Sequence, residues 1–298
     1  MNKYGLVIPC AGKGERLSEF TKFIPKPLLA LNSKCKVLDN ILDVFHNSIQ
    51  ASLMTSNYIG VTLEKKEEFQ HFCYMRKKSR NWEANTRNYN IITVNDNDEI
   101  EHNAFVDTQY LLKQALKDNA SKGYFVISGD AVISYNDVSK FFKIVDTSKI
   151  EFPLVATIKC RIASMRRKAG QLILAKNSIN TKAKHGKQAV CSNKVLEFQE
   201  KPPVDISEHI ACSMYYIPKK VVEKIVDNHT VDFKQMGDIL NLIMETEELY
   251  AYMLEDFWID ITEIESYKYA LKMYNHMLED FWIDITEIES YIYSKTQA

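Results

Sequence analysis

Near the amino terminus the sequence reads Ile8-Pro9-Cys10-Ala11-Gly12-Lys13-Gly14-Glu15-Arg16-Leu17. Two glycines one residue apart, after an apolar run, let backbone N–H groups approach an anion without side chains in the way. A helix starting just beyond them would add favourable potential. Leu17 stands where G-x-G-x-x-G needs its third glycine, and no Gly-Lys-Ser/Thr closes the loop. Neither the dinucleotide fingerprint nor the P-loop therefore fits. By itself such a loop is more often a tight turn, but two cations accompany it. Arg16 carries a planar fork suited to bidentate phosphate contact. Lys26 is set between Pro25 and Pro27, and a following proline disfavours helical geometry, so an extended backbone is expected to hold this lysine on a fixed path. A glycine loop with two phosphate-seeking cations points to a nucleoside triphosphate.

A triphosphate calls for a divalent cation, and Mg2+ takes a few carboxylates, with phosphate oxygens and water completing its shell. Asp130 closes the run YFVISGD and Asp260 lies in FWIDIT. Either alone reads as a capping aspartate; together they are candidate metal ligands. The seven histidines show no zinc-ligand spacing. No serine–histidine or cysteine–histidine arrangement suggests a protein nucleophile.

These residues need elements to place them. KYGLVIPCA is a continuous apolar run of the kind buried on both faces of a sheet. SLMTSNYIGVTL, NYNIITVN and KGYFVISGDAVIS read as further strands, and KVLDNILDVFHNSI, EKKEEFQHFCYMRKK and DTQYLLKQALKDNA as helices. Such alternation predicts an α/β fold with a mainly parallel sheet flanked by helices, and ligands at the carboxyl ends of the strands. After Phe152 the pattern becomes strand-rich: FPLVATIKC, GQLILAKN, KVLEFQEKPP and IACSMYYIPKK, then a helix from about Lys219. We read 1–150 as a nucleotide-binding half and 151–271 as a smaller, β-rich acceptor-binding half of one domain. In the remaining segment, 272–298, MLEDFWIDITEIESY at 253–267 recurs at 277–291. Two copies do not make a solenoid. The first copy follows the plausible strand ELYAYML and is read as the integrated one.

Composition bounds the rest. A hydrophobic content of 46% with 26% charged residues fits a soluble globular protein. The chain shows no apolar run long enough to span a bilayer and no basic leader. Six scattered cysteines without a Cys-x-x-Cys pair imply reduced thiols and a cytoplasmic setting. From Phe152 to Leu196 there are ten Lys and Arg and no acid. The ordinary account of such a stretch is a solvated hairpin; binding of small-substrate phosphates comes next. Nucleic acid ranks last, because the net charge is −1 and no recognition motif accompanies the stretch.

The order and spacing of AGKGERL…PKPL, ISGD, FQEKP, CSMYYIPK and FWIDIT resemble the sugar-1-phosphate nucleotidyltransferase family, which includes the glucose-1-phosphate thymidylyl- and uridylyltransferases. The resemblance runs through roughly residues 3–271. It implies a Rossmann-like fold and transfer of a nucleoside monophosphate to a phosphorylated acceptor, with release of pyrophosphate. By motif, Ala11, Gly12, Lys13 and Gly14 would hold the nucleotide phosphates, together with Gly129. Arg16 and Lys26 would serve as catalytic cations, and Asp130 and Asp260 would bind Mg2+. Glu200 and Lys201 match the pair that binds acceptor hydroxyls and phosphate, and Tyr215 lies in the segment lining the sugar pocket. Thr108 is the sole candidate for the family's base-binding glycine–threonine turn. Glu15 replaces a small hydroxyl residue and is tolerable beside a triphosphate only if it faces away or binds metal. Ser213 replaces a usual glycine, as does Ile261 after Asp260. Implied partners are a nucleoside triphosphate and a sugar phosphate, with no nucleic acid or membrane; members of the family are often homo-oligomers. Two further readings stay open: a non-catalytic regulatory protein of the same fold, and a cytidylyltransferase acting on a non-sugar phosphorylated alcohol. An NAD-dependent oxidoreductase ranks lower because of Leu17 and the Pro-Lys-Pro segment.

Overall fold

The computed structural model describes residues 4–12, 14–48, 54–79, 88–94, 103–117, 122–147, 150–181, 190–228 and 232–277. The chain begins with β1 (Tyr4–Pro9), a 3-10 turn (Glu15–Leu17), the single-turn helix α1 (Ser18–Thr21) and a second 3-10 turn (Lys26–Leu28). Next come β2 (Ala30–Asn32), β3 (Cys35–Lys36), α2 (Val37–Ser48), β4 (Met54–Val61), α3 (Lys66–Ser79) and β5 (Asn88–Thr93). The first half closes with α4 (Ala104–Leu116), β6 (Gly123–Ile127), β7 (Ala131–Ile133) and α5 (Tyr135–Thr147). The second half holds β8 (Leu154–Lys159), α6 (Ala163–Arg166), β9 (Gln171–Thr181), β10 (Val190–Gln199), β11 (His209–Pro218) and α7 (Lys219–Ile225). It ends with α8 (Asp238–Thr246), β12 (Tyr250–Met253), β13 (Trp258–Asp260) and α9 (Ile264–Met277).

One nine-stranded sheet in the order β5-β4-β1-β6-β11-β8-β12-β10-β9 crosses both halves. The expectation of a mainly parallel sheet holds only for the first half. There β5, β4, β1 and β6 run parallel, whereas β11 joins β6 and β8 antiparallel and β10 joins β12 and β9 antiparallel. The sheet is therefore mixed. The reason is connectivity: parallel neighbours need crossover helices, and between β8 and β11 the described chain runs through β9 and β10 with the four-residue α6 as its helix.

β1 and β6 are almost wholly buried, as continuous apolar strands must be when helices cover both faces. On one face α2 and α5 pack Leu38, Ile41, Phe45 and Phe141 against Leu6, Ile8 and Phe125. On the other, α4, α7 and α8 set Leu111, Val221 and Leu240 over Val7, Val126 and Ile217. A third cluster lies beside the sheet, where Leu29, Leu31 and Val37 meet Val132, Ile259, Ile261 and Tyr267. This cluster joins the segment after Lys26 to the strands beside Asp130 and Asp260, and Tyr267 adds a 2.5 Å hydrogen bond to the Ala30 carbonyl.

The first copy of the tail repeat supplies β13 and the start of α9. The second copy, with Asp284, lies beyond Met277 and outside the described residues. Among the described residues no helix is long and apolar enough to cross a membrane.

β7, which leads away from Asp130, is tied to α2 by one buried side chain. Asn40 is 4% exposed; its Oδ1 accepts from the Ile133 N–H at 3.0 Å and its Nδ2 donates to the Ile133 carbonyl at 3.4 Å. Asn40→Ala would strand both backbone groups, so it should cost about 1–3 kcal/mol. That loss should appear as a lower urea midpoint with an unchanged m-value; an unmoved midpoint would show that water replaces the amide without penalty.

Candidate active site

Two carboxylates 130 positions apart in sequence are brought side by side by a short antiparallel ladder. β13 pairs with β7 so that Asp260 faces Ala131, and the Ile261 N–H donates to the Asp130 carbonyl at 2.9 Å. Lys26 Nζ donates to Asp130 Oδ2 at 2.9 Å, with side-chain exposures of 13% and 23% for the lysine and the aspartate. The Ser128 hydroxyl donates to the other oxygen, Oδ1. Trp258 Nε1–H donates to Asp260 Oδ1 at 2.9 Å, and Ser213 Oγ lies 3.5 Å from Oδ2.

The two acids respond in opposite directions. Burial pushes the Asp130 carboxyl up, but the Lys26 charge and the bonds from Ser128 and Lys26 outweigh it and hold Asp130 below the usual carboxylate range. Asp260 is pushed up to about 7, first by burial and then by the negative charge of Asp130, against smaller opposing effects of Trp258 and Lys26. Burial first and the neighbouring negative charge second thus favour the protonated form of Asp260 over that of Asp130.

Lys26 does not lie on the extended path expected from Pro27. Pro25 is extended (ψ 138°), but Lys26 opens the 3-10 turn closed by Leu28 N–H to the Pro25 carbonyl at 2.7 Å. Pro27 fits there because the first turn of a helix needs no N–H from it.

The glycine loop is shaped as expected at one end and differently at the other. Gly14 adopts φ +70° and faces the Thr21 side chain, whose hydroxyl donates to the Gly14 carbonyl at 2.8 Å. Only glycine takes that conformation without strain. No regular helix follows, only the 3-10 turn and α1, so the expected helix dipole is minor and the cations dominate. Lys13 lies outside the described residues.

A cleft of about 240 Å³ gathers these parts. Ala11, Gly12, Arg16 and Lys26 line it with Asp130 and Asp260; the acceptor side contributes Glu200, Lys201 and Tyr215. Gly14 and Gly129 shape its wall without lining it, and the Gly129 N–H donates to the Pro9 carbonyl at 3.0 Å. Glu15 is exposed and is not a lining residue, which removes the objection to its charge. Thr108 requires correction. It is fully buried, its hydroxyl donates to the Ala104 carbonyl at 2.6 Å, and it sits on the stripe of α4 that packs on β1 and β4. Ala104 and Asp107, one helical turn of α4, line the cleft instead.

On the acceptor side Glu200 follows β10 and inserts its carboxylate between Gly170 and Gly237. A Cβ at Gly170 would stand 2.9 Å from Oε2, and one at Gly237 would overlap it. Burial raises the Glu200 carboxyl, with Lys201 opposing. Lys201 has φ +46°, the one left-handed non-glycine among the described residues, and its Nζ donates to Gln235 Oε1 at 2.8 Å. Tyr215, 2% exposed, forms the floor, where β11 continues toward Ser128 through the Ser128 N–H to Ser213 carbonyl bond at 3.0 Å. Ser213, noted in the sequence as replacing a glycine, also lines the cleft, whereas Lys168, Gln235 and Gly237 carry no motif and reach it through tertiary contacts.

A glucose-1-phosphate adenylyltransferase from Fervidobacterium nodosum is 23% identical over 277 residues, covering 89% of this chain and 60% of its own. The catalytic subunit beta of a mannose-1-phosphate guanylyltransferase from Danio rerio is 22% identical over 259 residues, covering 86% and 60%. The chain spans about three fifths of the length of the curated relatives it matches. Among solved structures, a UDP-glucose pyrophosphorylase complexed with UDP-glucose matches with a TM-score of 0.69 at 16% identity, covering 93% of this chain and all of that one. A UTP-bound UDP-glucose pyrophosphorylase from Acinetobacter baumannii matches with a TM-score of 0.65 at 16% identity, covering 92% and 93%. Those likenesses show a shared mixed α/β fold. The nucleotidyl transferase family model matches residues 6–297, which include every part of the cleft, and the chain belongs to that family.

Proposed function

We propose that this chain transfers a nucleoside monophosphate from a nucleoside triphosphate to a sugar 1-phosphate, giving a nucleotide sugar and pyrophosphate. The observation that carries the reading is the 2.9 Å contact of Lys26 with Asp130, beside Asp260 and in one cleft with Gly12 and Glu200. The names of the relatives and the nucleotide ligands of the solved neighbours support this substrate class.

The two acids fit a divalent cation. Among the described residues no three His, Cys, Asp or Glu converge, so protein ligation there rests on Asp130 and Asp260, and a hard cation content with two carboxylates, phosphate oxygens and water suits that set. Mg2+ held by these two residues would offset their charge and that of the polyphosphate.

The chain's own residues do the rest. The glycine loop and Arg16 bind the triphosphate, while Glu200 and Lys201 orient the acceptor. An acceptor phosphate oxygen attacks the α-phosphorus; the new P–O bond forms as the bond to the β-phosphate breaks and pyrophosphate leaves. The nucleophile is already an oxyanion, so no general base is needed. Alignment of two bound anions can contribute about 7–11 kcal/mol. Lys26 stabilises charge on the transferring phosphoryl oxygens; at an effective dielectric near 20, a cation about 4 Å away is worth on the order of 4 kcal/mol.

Lys26→Ala and Asp130→Asn should each lower kcat/KM at least ~100-fold, measured as pyrophosphate release with a panel of nucleoside triphosphates and sugar 1-phosphates. Near-normal release from both variants would refute the assignment. Asp260 yields a separate test through stability. An acid whose folded pKa is raised binds its proton more tightly in the folded state, so ionising it weakens the fold. For Asp260 that penalty is absent below the ordinary carboxylate range, grows as pH rises, and is complete above about 7. With chelator present, Asp260→Asn should therefore raise the Tm at pH 8 and leave it nearly unchanged at pH 4, while Mg2+ stabilises only the wild type. A variant that melts below wild type at pH 8 in chelator would contradict this account.

A further inference from the structure

The reaction above leaves unexplained the basic stretch from Phe152 to Leu196. Its residue Lys168 lines the cleft, two positions before Gly170, whose neighbour is the Glu200 carboxylate. Lys168 Nζ is held by both oxygens of Glu263, at 2.8 and 3.1 Å. Glu263 in turn lies three residues past Asp260, on the turn between β13 and α9. Lys168, Ala169 and Gly170 all line the cleft that also holds Glu200, Asp130 and Asp260. On the transferase reading, an acceptor whose hydroxyls meet Glu200 carries its phosphate into that same cleft.

The backbone around Lys168 is fixed by contacts of its own. Arg166 pairs with Asp205 at 2.8 Å and donates to the Cys160 carbonyl at 3.1 Å, and the Gly170 carbonyl accepts from the Ala211 N–H at 2.8 Å. The segment therefore does not need the Lys168–Glu263 pair to hold its shape. With side chains 56% and 41% exposed, that pair adds little to stability. It does place a cation at the cleft mouth without burying it.

We propose that Lys168 binds the phosphate of the acceptor, and that Glu263 holds it in place until that phosphate arrives. This rests on the transferase reading. A phosphate dianion carries more charge and more acceptor oxygens than a carboxylate, so it displaces Glu263 from the ammonium. Glu263 is a positioning residue that competes with substrate, which predicts opposite effects for the two partners.

The test uses the full chain with glucose 1-phosphate and mannose 1-phosphate, in initial-rate kinetics and in calorimetric titration without nucleotide. Lys168→Met should raise the acceptor KM and Kd roughly tenfold or more, leaving the triphosphate KM unchanged, and Lys168→Arg should restore most of the loss. Glu263→Gln should lower the acceptor KM about two- to fivefold. Equal weakening by both substitutions would mark the pair as a structural tie and overturn the proposal, as would an effect on the triphosphate KM alone. Turnover with an acceptor KM unmoved by Lys168→Met would sink this inference and spare the transferase reading. Lys168-dependent binding without turnover under any nucleotide would do the reverse.

Discussion

The structure depends on a charge imbalance: two neighbouring carboxylates, largely withdrawn from water, share a single close ammonium group. Lys26 satisfies Asp130, with a hydrogen bond as well as a charge, and Ser128 supports the same acid. Asp260 receives an indole N–H and a distant hydroxyl, and its carboxyl is pushed up by burial and by the charge of Asp130. A buried ion pair rarely repays its desolvation, and a third charge beside it makes the arrangement worse. Such a site does not contribute to the fold; it is held in place by the fold. Under the proposed function an incoming cation would relieve the imbalance, and a polyphosphate arriving with it would complete the cation's ligands.

What holds it is packing remote from the charges. The cluster of Leu29, Leu31, Val132, Ile259, Ile261 and Tyr267 joins three stretches of chain, and each stretch ends in one of the three charged groups. Asp137 at the start of α5 accepts the Glu255 and Asp256 N–H groups, both at 2.9 Å, and fixes the turn that delivers β13 to β7. Asn40 ties β7 to α2. The first copy of the repeated tail segment is therefore bound at its beginning by Asp137, at its middle by β7 and at its end by the apolar contacts of Tyr267.

Much of this was legible in the sequence because local pattern and chemistry coincide there. Continuous apolar runs gave β1 and β6, helical spacing gave α2 and α4, and the motif residues Lys26, Asp130, Asp260 and Glu200 do converge. The helix α5 was equally visible, through Val138, Phe141, Phe142 and Val145 at helical spacing, but was not singled out. What could not be read belongs to contacts between distant segments. The direction of β11 beside β6 is set by what connects them, not by either strand's residues. The buried orientation of Thr108 follows from which stripe of α4 faces the sheet, and the turn at Lys26 from a proline that is tolerated in a first helical turn. Gly170 and Gly237 look like ordinary loop glycines until the Glu200 carboxylate is placed between them.

That last arrangement separates two kinds of recognition within one cleft. The Glu200 carboxylate and the Phe198 ring together occupy the space a Cβ would need at Gly170 and at Gly237, and the next residue, Lys201, takes a left-handed conformation that costs on the order of 1 kcal/mol or more. Three segments thus carry local constraints that meet at one acid, and rigid placement is what discrimination among sugar hydroxyls requires. The phosphate end is built differently. In the proposed reaction Lys201 and Lys168 would meet it on long side chains, and a charged group needs attraction more than stereochemistry. On that reading backbone geometry would select the acceptor's sugar while the ammonium groups gather its charge.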